Sequence, residues 1–123
     1  MIKNFLKPKL WQPFMFENSK LPLWLSKIVP IDVWAFSFAW FVFCRGEMSE
    51  KTKRHETIHF QQQLELGFVL QWVLYGLSYL KNRLTMDGVD AYYNNVFELE
   101  AYDNDYDEDY LATRPRYNWK NYL

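Results

Sequence analysis

The chain contains 123 residues, of which half are hydrophobic and a fifth are aromatic. This composition excludes the disordered class, whose members are poor in hydrophobic residues and rich in charge, and the length fits one domain. Fourteen basic and fifteen acidic residues leave a formal net charge of -1. We therefore expect no nucleic-acid partner, since the chain carries no basic excess to attract a polyanion.

The first segment, residues 1–30, includes four of the five prolines. Proline interrupts helices because it lacks a backbone donor and clashes with the preceding turn. We therefore expect an extended arm that packs across the body through its aromatic side chains, which are Trp11, Phe14, Phe16 and Trp24. The segment lacks the unbroken apolar stretch and small-residue cleavage site of a signal peptide, so a cytoplasmic location is predicted.

An aromatic run follows at residues 33–45 (VWAFSFAWFVFCR), and Gly46 closes it. Aromatic and β-branched residues at this density favour a strand over a helix. We expect one long bent strand or a tight hairpin, interrupted near Ser37. The single cysteine, Cys44, lies in this run and is predicted to be a buried apolar side chain.

Three helices are predicted next, over residues 49–66, 68–82 and about 89–110. Gly67 is the expected break between the first two. Without it, a rise of about 1.5 Å per residue would carry the chain too far for the third helix to return to the first. Residues 111–123 are expected to form a docking segment and not a further helix.

These elements predict an α+β fold, mostly helical, with a strand or hairpin before three helices and a core over residues 33–110. The two longest apolar stretches, residues 31–44 and 66–80, contain 14 and 15 residues, whereas a spanning helix needs roughly 20. Both are therefore expected in the core. Contact of residues 68–80 with a membrane surface is the alternative.

The segment RHETIHF contains the only two histidines, His55 and His59, with Glu56 directly after the first. Positions i and i+4 lie on one face of a helix, so both imidazoles can bind a single ion, and nitrogen ligands at this spacing suit zinc best. Glu56 lies about 100° round the helix and can take a proton from a zinc-activated water. The motif therefore predicts a catalytic zinc site with Glu56 as general base. The alternative is that both histidines lie on an exposed helix face.

A catalytic zinc site needs a third protein ligand and leaves the fourth position to water. The segment NVFELEAYDND offers Glu98 and Glu100 for this role. On a helix these two positions point about 200° apart, so only one of them can face the metal. The spacing alone does not decide between them.

The HETIH motif followed by ELEA at residues 98–101 resembles the gluzincin metallopeptidases, in which a glutamate on a later helix completes the site. Membrane-associated zinc proteases of the CAAX-processing and heat-shock type carry this ligand as the first Glu of an ExxA(D) pattern, and small uncharacterised bacterial proteins carry FExEAY after HExxH. The resemblance covers residues 33–110 and implies a minimal zincin-like fold with Glu98 as the third ligand. Glu100 is the alternative, because Glu100 and Asn104 approximate the thermolysin-like ExxxD spacing.

The chain departs from the ExxA(D) pattern at Tyr102, which stands where the family has Asp. The partner that orients a ligating histidine is then expected from Tyr102, Asp103 or Asn104. Thermolysin-like sites also use a donor that stabilises the oxyanion of the tetrahedral intermediate. Tyr92, Tyr93 and Tyr102 are the candidates for that role.

The predicted function is zinc-dependent hydrolysis of a peptide or protein that lies along the strand near residues 38–44 by β-augmentation. Glu56 would deprotonate the water and then protonate the leaving amine. The alternative is a zinc-binding interaction protein that keeps a peptidase-like fold without activity, with or without attachment to a membrane surface. Two polar segments, Gln61–Gln63 and Asp103–Asp109, are expected to be solvated.

Overall fold

A computed structural model describes residues 11–28 and 33–123 of the chain. Its elements, in chain order, are strand β1 (Phe14–Phe16), helix α1 (Leu21–Ser26), strands β2 (Ala35–Phe38) and β3 (Phe41–Cys44), helices α2 (Glu50–Leu66), α3 (Phe68–Arg83), α4 (Gly88–Tyr93), α5 (Val96–Asn104) and α6 (Tyr110–Thr113), and a 3-10 helix (Asn118–Tyr122). The predicted α+β class with mostly helical content is confirmed. Predictions that fall on residues 1–10 and 29–32 lie outside the described residues.

The aromatic run forms a tight hairpin in which β2 and β3 pair antiparallel. The chain turns at Ala39 and Trp40, and Ala39 takes the left-handed conformation with φ 51°. The interruption predicted near Ser37 is wrong, because Ser37 pairs with Val42 inside the ladder. Cys44 is buried, as predicted.

The N-terminal segment contributes β1, which pairs in parallel with β3, so β3 is the central strand of a sheet ordered β1-β3-β2. The prediction of an extended arm is therefore correct for β1, but it is wrong for α1, which is a helix of six residues. Pro22 lies in the first turn of α1, where no backbone donor is needed, and so it does not prevent the helix. Phe14 and Phe16 are largely exposed and lie beside the ring of Phe41 instead of entering the core.

Helix α2 carries the HETIH motif and has the predicted limits. Ser49 caps its first turn, since the Ser49 side-chain oxygen accepts a hydrogen bond from the backbone N–H of Thr52 at 3.1 Å. Gly67 separates α2 from α3 with φ 81° and ψ 151°, a backbone conformation that is accessible to glycine and strained for other residues. The helix break that brings later residues back to the motif is therefore at the predicted position.

The Gln61–Gln63 run is buried, so the prediction of a solvated segment is wrong. Gln63 joins α2 to the hairpin: its side-chain amide donates to the carbonyl oxygen of Ser37 at 3.1 Å and accepts from the N–H of Ala39 at 2.8 Å. A primary amide offers both donors and acceptors, so it can pair with a strand edge as another strand would. This pairing fixes β2 against the helix that carries the motif.

The third predicted helix, residues 89–110, is divided into α4 and α5 and ends at Asn104, so its predicted length is wrong. Asn95 explains the division, because its side-chain oxygen accepts from the N–H of Phe97 at 3.1 Å and starts a new helix. The prediction of a tail without a helix is also wrong, since the tail contains the 3-10 helix and part of α6. Trp119 docks this tail on Phe97, with ring centroids 5.4 Å apart.

Replacing Gly67 by alanine should lower the free energy of unfolding by about 1–3 kcal/mol, because a Cβ is strained at φ 81°. The matched control is Gly76→Ala within α3, where the added Cβ meets no atom within 4 Å. That change should raise the free energy of unfolding by roughly 0.5–1 kcal/mol. Urea unfolding followed by circular dichroism measures both. If helical geometry continued through residue 67, both substitutions would be stabilising.

Candidate metal centre

His55 and His59 lie one turn apart on the buried face of α2, with ring centroids 4.9 Å apart. The alternative of an exposed helix face is therefore wrong. Both Nε2 atoms point at the same oxygen, Oε1 of Glu98 on α5, at 3.0 Å from His55 and 2.9 Å from His59. Two imidazoles and one carboxylate thus converge from two helices.

This group could hold a metal ion. One ligand atom from each of His55, His59 and Glu98 lies within 4.8 Å of the other two. Ligand atoms on one tetrahedral ion, each bonded at about 2.0–2.1 Å, are separated by about 3.4 Å. Beside them the Oε2 atom of Glu56 is buried and has no hydrogen-bond partner within the protein. A buried carboxylate oxygen of this kind fits a site that receives a further ligand or substrate.

The second nitrogen of each imidazole is held by a separate acceptor. His55 Nδ1 donates to Oδ2 of Asp105 at 3.0 Å, and His59 Nδ1 donates to Oε1 of Gln62 at 2.8 Å. Each ring therefore keeps a proton on Nδ1, which leaves Nε2 as the nitrogen that can bind a metal. Such outer partners fix the orientation and tautomer of metal-binding histidines.

The amide of Gln62 is itself oriented by α5. Its nitrogen donates to the carbonyl oxygen of Phe97 and to Oε1 of Glu100, both at 3.1 Å. With both amide hydrogens used by acceptors, the amide oxygen must face His59. The orientation of the second imidazole thus depends on the carboxylate of Glu100.

Glu100 does not face the histidines. It forms an ion pair with Arg114 on the other side of α5. Arg114 donates to both of its oxygens, through Nε at 2.6 Å and Nη2 at 3.0 Å, and the hydroxyl of Tyr110 donates at 2.6 Å. Glu98, in contrast, faces the imidazoles with Oε1 and accepts from the Tyr75 hydroxyl with Oε2 at 2.7 Å. Of the two glutamates weighed as third ligand, Glu98 is the one at the metal centre.

Burial and neighbouring charges shift the pKa values of the site in different directions. Burial alone lowers the pKa of His55, but hydrogen bonds to Asp105 and Glu98 outweigh it and raise the pKa to about 10. Burial raises the pKa of Glu56, against the opposing effect of His59 and His55. Burial also opposes the charge of Glu98, yet His59 and the hydrogen bonds hold its pKa below the usual range. A metal ion must therefore displace protons from the imidazoles when it binds.

The residue that orients His55 is Asp105, so the expectation of Tyr102, Asp103 or Asn104 in that role is wrong. Asp105 is buried, which also corrects the prediction of a fully solvated acidic stretch. Tyr102 instead packs its ring on the His55 ring at 4.4 Å between centroids.

The three tyrosines weighed as oxyanion donors lie beside the group formed by His55, His59 and Glu98. The Tyr92 and Tyr102 hydroxyls are 3.2 Å apart, and the Tyr93 and Tyr102 rings are in contact at 5.2 Å between centroids. Burial raises the pKa of both Tyr92 and Tyr102, so each hydroxyl keeps its proton at neutral pH. All three line one cavity.

A cavity of about 580 Å³ opens onto the metal centre. Residues of β2 line one side and residues of α3 line another, and His55, Glu56, His59 and Glu98 lie on its wall. Aromatic side chains from α3, α4 and α5 supply much of the remaining wall. The site thus combines a buried donor group with space for a small molecule or part of a chain.

Comparison of the chain with protein-family models, with curated proteins and with solved structures finds no match. The resemblance to the gluzincin peptidases stays a prediction. The residues themselves show a buried group of two imidazoles and one carboxylate, able to hold a metal ion, beside an open cavity.

Sequence reasoning missed three residues of the site: Gln62, Tyr75 and Asp105. Gln62 carried a usable signal, because it lies three residues after His59 and therefore on the same helix face. Tyr75 and Asp105 reach the site only through the packing of α3 and of the segment after α5, so their positions in the sequence gave no comparable signal.

Replacing Gln62 by leucine should weaken zinc binding about 10- to 100-fold, because His59 Nδ1 loses its acceptor. Gln63→Leu is the matched control, since Gln63 is equally buried on α2 but bonds to the hairpin and not to a histidine. Competition with a chromophoric chelator gives both affinities. An equal loss in the two variants would show that the effect comes from helix packing and not from the orientation of His59.

Proposed function

We propose that the protein is a zinc-dependent peptidase. The observation that carries the proposal is the buried, unpartnered oxygen of Glu56 next to the group formed by His55, His59 and Glu98 on the wall of an open cavity. Two histidines and one glutamate form a donor set typical of catalytic zinc sites in peptidases. Glu56 is a carboxylate that directly follows the first histidine of the motif, which is the position of the general base in that arrangement.

The proposed mechanism assigns a separate task to each side chain. His55, His59 and Glu98 would hold zinc, which when bound lowers the pKa of a water molecule and polarises the scissile carbonyl. Glu56 would take the proton from that water and then deliver it to the leaving amine.

The edge strand β2 offers a substrate peptide the backbone groups of Ala35, because the outer backbone groups at Ser37 and Ala39 are already bonded to Gln63. The carbonyl oxygen of Trp34 accepts from the N–H of Arg45 at 2.9 Å, so Trp34 faces β3. Backbone groups of successive strand residues point in alternate directions, so those of Ala35 point away from β3. The prediction that the substrate lies along residues 38–44 is wrong, because β3 is already paired on both sides. We propose that the peptide pairs with β2 at Ala35, which lines the cavity.

The alternative of a zinc protein without activity would be favoured by a closed coordination sphere. Among the described residues, the group contains three potential ligands and no fourth His, Cys, Asp or Glu. Structural zinc sites almost always have four protein ligands, whereas catalytic sites have three and an open position. This difference supports the peptidase proposal.

The first test is the zinc content of untagged protein, measured by plasma mass spectrometry beside hydrolysis of a proteome-derived peptide mixture. We expect about one zinc per chain in the wild type and in Glu56→Gln. Turnover by Glu56→Gln should fall by at least about 10²-fold, because the proton acceptor is lost while the ligands remain.

His55→Ala serves as the metal-free control and should lose both zinc and turnover. Absence of zinc from the wild type after zinc is supplied would overturn the metal proposal. Unchanged turnover in Glu56→Gln would leave the metal site standing and reject Glu56 as general base.

We also propose that the outer face of α3 attaches the protein to a membrane surface. An apolar stripe on this helix is exposed at Val69, Val73, Leu77 and Leu80 and continues to Leu84, the residue after its end. Exposed Lys81 and Arg83 follow at the C-terminal end and suit anionic headgroups. No helix among the described residues is long and apolar enough to cross a membrane.

Flotation with vesicles of phosphatidylcholine and phosphatidylserine tests the attachment. The wild type should float with the vesicles, and Val73→Asp/Leu77→Asp should remain at the bottom of the gradient, because the stripe then carries charge. Ile28→Asp/Leu123→Asp is the control, since both residues are exposed and apolar but lie outside α3. A wild type that does not float rejects the attachment and leaves the peptidase proposal unaffected.

A further inference from the structure

Helix α3 presents one face to the cavity beside the metal centre. Trp72, Tyr75, Gly76 and Tyr79 follow one another at helical spacing on this face, and all line the cavity. The Tyr75 hydroxyl binds Glu98, so the same face reaches the proposed metal ligand. The wall made by α3 is therefore continuous with the proposed catalytic group.

Gly76 is the unexpected residue on this wall. Glycine in a helix interior is less favourable than alanine, so its presence normally has a steric or conformational reason. The backbone conformation does not require a glycine at position 76, because Gly67, and not Gly76, is the glycine with positive φ among the described residues. Packing does not require one there either, since a Cβ added at Gly76 would meet no atom within 4 Å. What Gly76 leaves open is the space of the cavity itself.

The side chains around this space are complementary to a peptide with a bulky aromatic group. Trp72 and Tyr79 flank Gly76 on α3, and Tyr92 and Tyr93 lie across the same cavity. Rings of this kind bind another ring by offset stacking or edge-to-face contact. The wall is thus suited to an aromatic side chain.

Two buried polar atoms of the same cavity-lining helix also point to a peptide. Trp72 Nε1 is a donor and Gln71 Oε1 is an acceptor, and neither has a hydrogen-bond partner within the protein. A peptide offers both acceptors and donors, which are the groups that these two atoms lack. An apolar ligand without polar groups would leave both of them unpaired, at a cost in binding free energy.

We infer that Gly76 opens an aromatic subsite that selects substrates with a bulky aromatic side chain next to the scissile bond. The inference rests on the proposed peptidase function and names its substrate class. Gly76 acts by leaving space, and Trp72 and Tyr79 act by contact with the substrate ring. A larger side chain at position 76 closes the subsite without touching His55, His59 or Glu98.

The test compares two hydroxamates, which chelate zinc through the same head group, on the zinc-loaded protein by isothermal titration calorimetry. Acetohydroxamate reports access to the zinc, and N-hydroxy-3-phenylpropanamide adds a benzyl group to the same molecule. We expect the benzyl compound to bind at least about tenfold more tightly to the wild type.

Gly76→Leu should remove this tenfold advantage and leave acetohydroxamate binding unchanged, with Gly76→Ala in between. Val73→Leu, which adds bulk on the solvent-facing side of α3, should bind both compounds as the wild type does. One zinc per chain and an intact thermal transition in Gly76→Leu show that the variant is folded. If Gly76→Leu does not fold, Gly76→Ala alone must show a reduced advantage.

The outcomes separate the two proposals. Acetohydroxamate that fails to bind shows that no accessible zinc is present, and the peptidase proposal and the subsite fall together. Acetohydroxamate that binds while the benzyl group brings no advantage, or brings one that Gly76 variants do not change, overturns the subsite and leaves the peptidase proposal standing.

Discussion

The charge of Glu100 is buried completely, and its neutralisation by Arg114 is the interaction on which the arrangement of His55, His59 and Glu98 depends. A buried carboxylate is costly unless it is paired and hydrogen-bonded, and removal of one partner of such a pair typically costs about 3–5 kcal/mol. Arg114 meets this need through two hydrogen bonds to Glu100 and two more to Glu65 on α2. One guanidinium therefore ties α5 and α2 together from a position near the C-terminal end of the chain.

The same ion pair reaches the proposed zinc ligands through a single side chain. Gln62 lies between Glu100 and His59, and it can present its oxygen to the imidazole only while its nitrogen is occupied by α5. The path from Arg114 to His59 thus consists of three consecutive polar contacts, all buried. Stability and the orientation of His59 are linked here, because Arg114 holds Glu100, and Glu100 holds the amide that accepts from His59.

Local rules predicted the parts of the fold that local interactions determine. The start of the motif helix near residue 49, the break at Gly67 and the convergence of His55 with His59 follow from spacing and backbone conformation, and each has its expected position. The burial of the glutamine run, the role of Asp105 and the length of the third helix depend on tertiary contacts with segments far away in sequence. For α5 the decisive event is the capping turn at Asn95, which starts a new helix and sets which glutamate faces the histidines.

Helix α5 carries two buried glutamates on opposite sides, and they have different partners. Positions 98 and 100 point about 200° apart, so Glu98 turns an oxygen to the two imidazoles while Glu100 enters the ion pair on the other side. Each glutamate can be buried because a hydrogen-bond donor lies on its side of the helix. Tyr75 is the donor to Glu98, and Arg114 is the donor to Glu100. Two departures from ordinary folding rules, the unpartnered Glu56 oxygen and the glycine at position 76, line the cavity and belong to no such pair. Natural sequences concentrate departures of this kind at functional sites, and this is why the cavity, and not the ion pair, is where chemistry is to be sought.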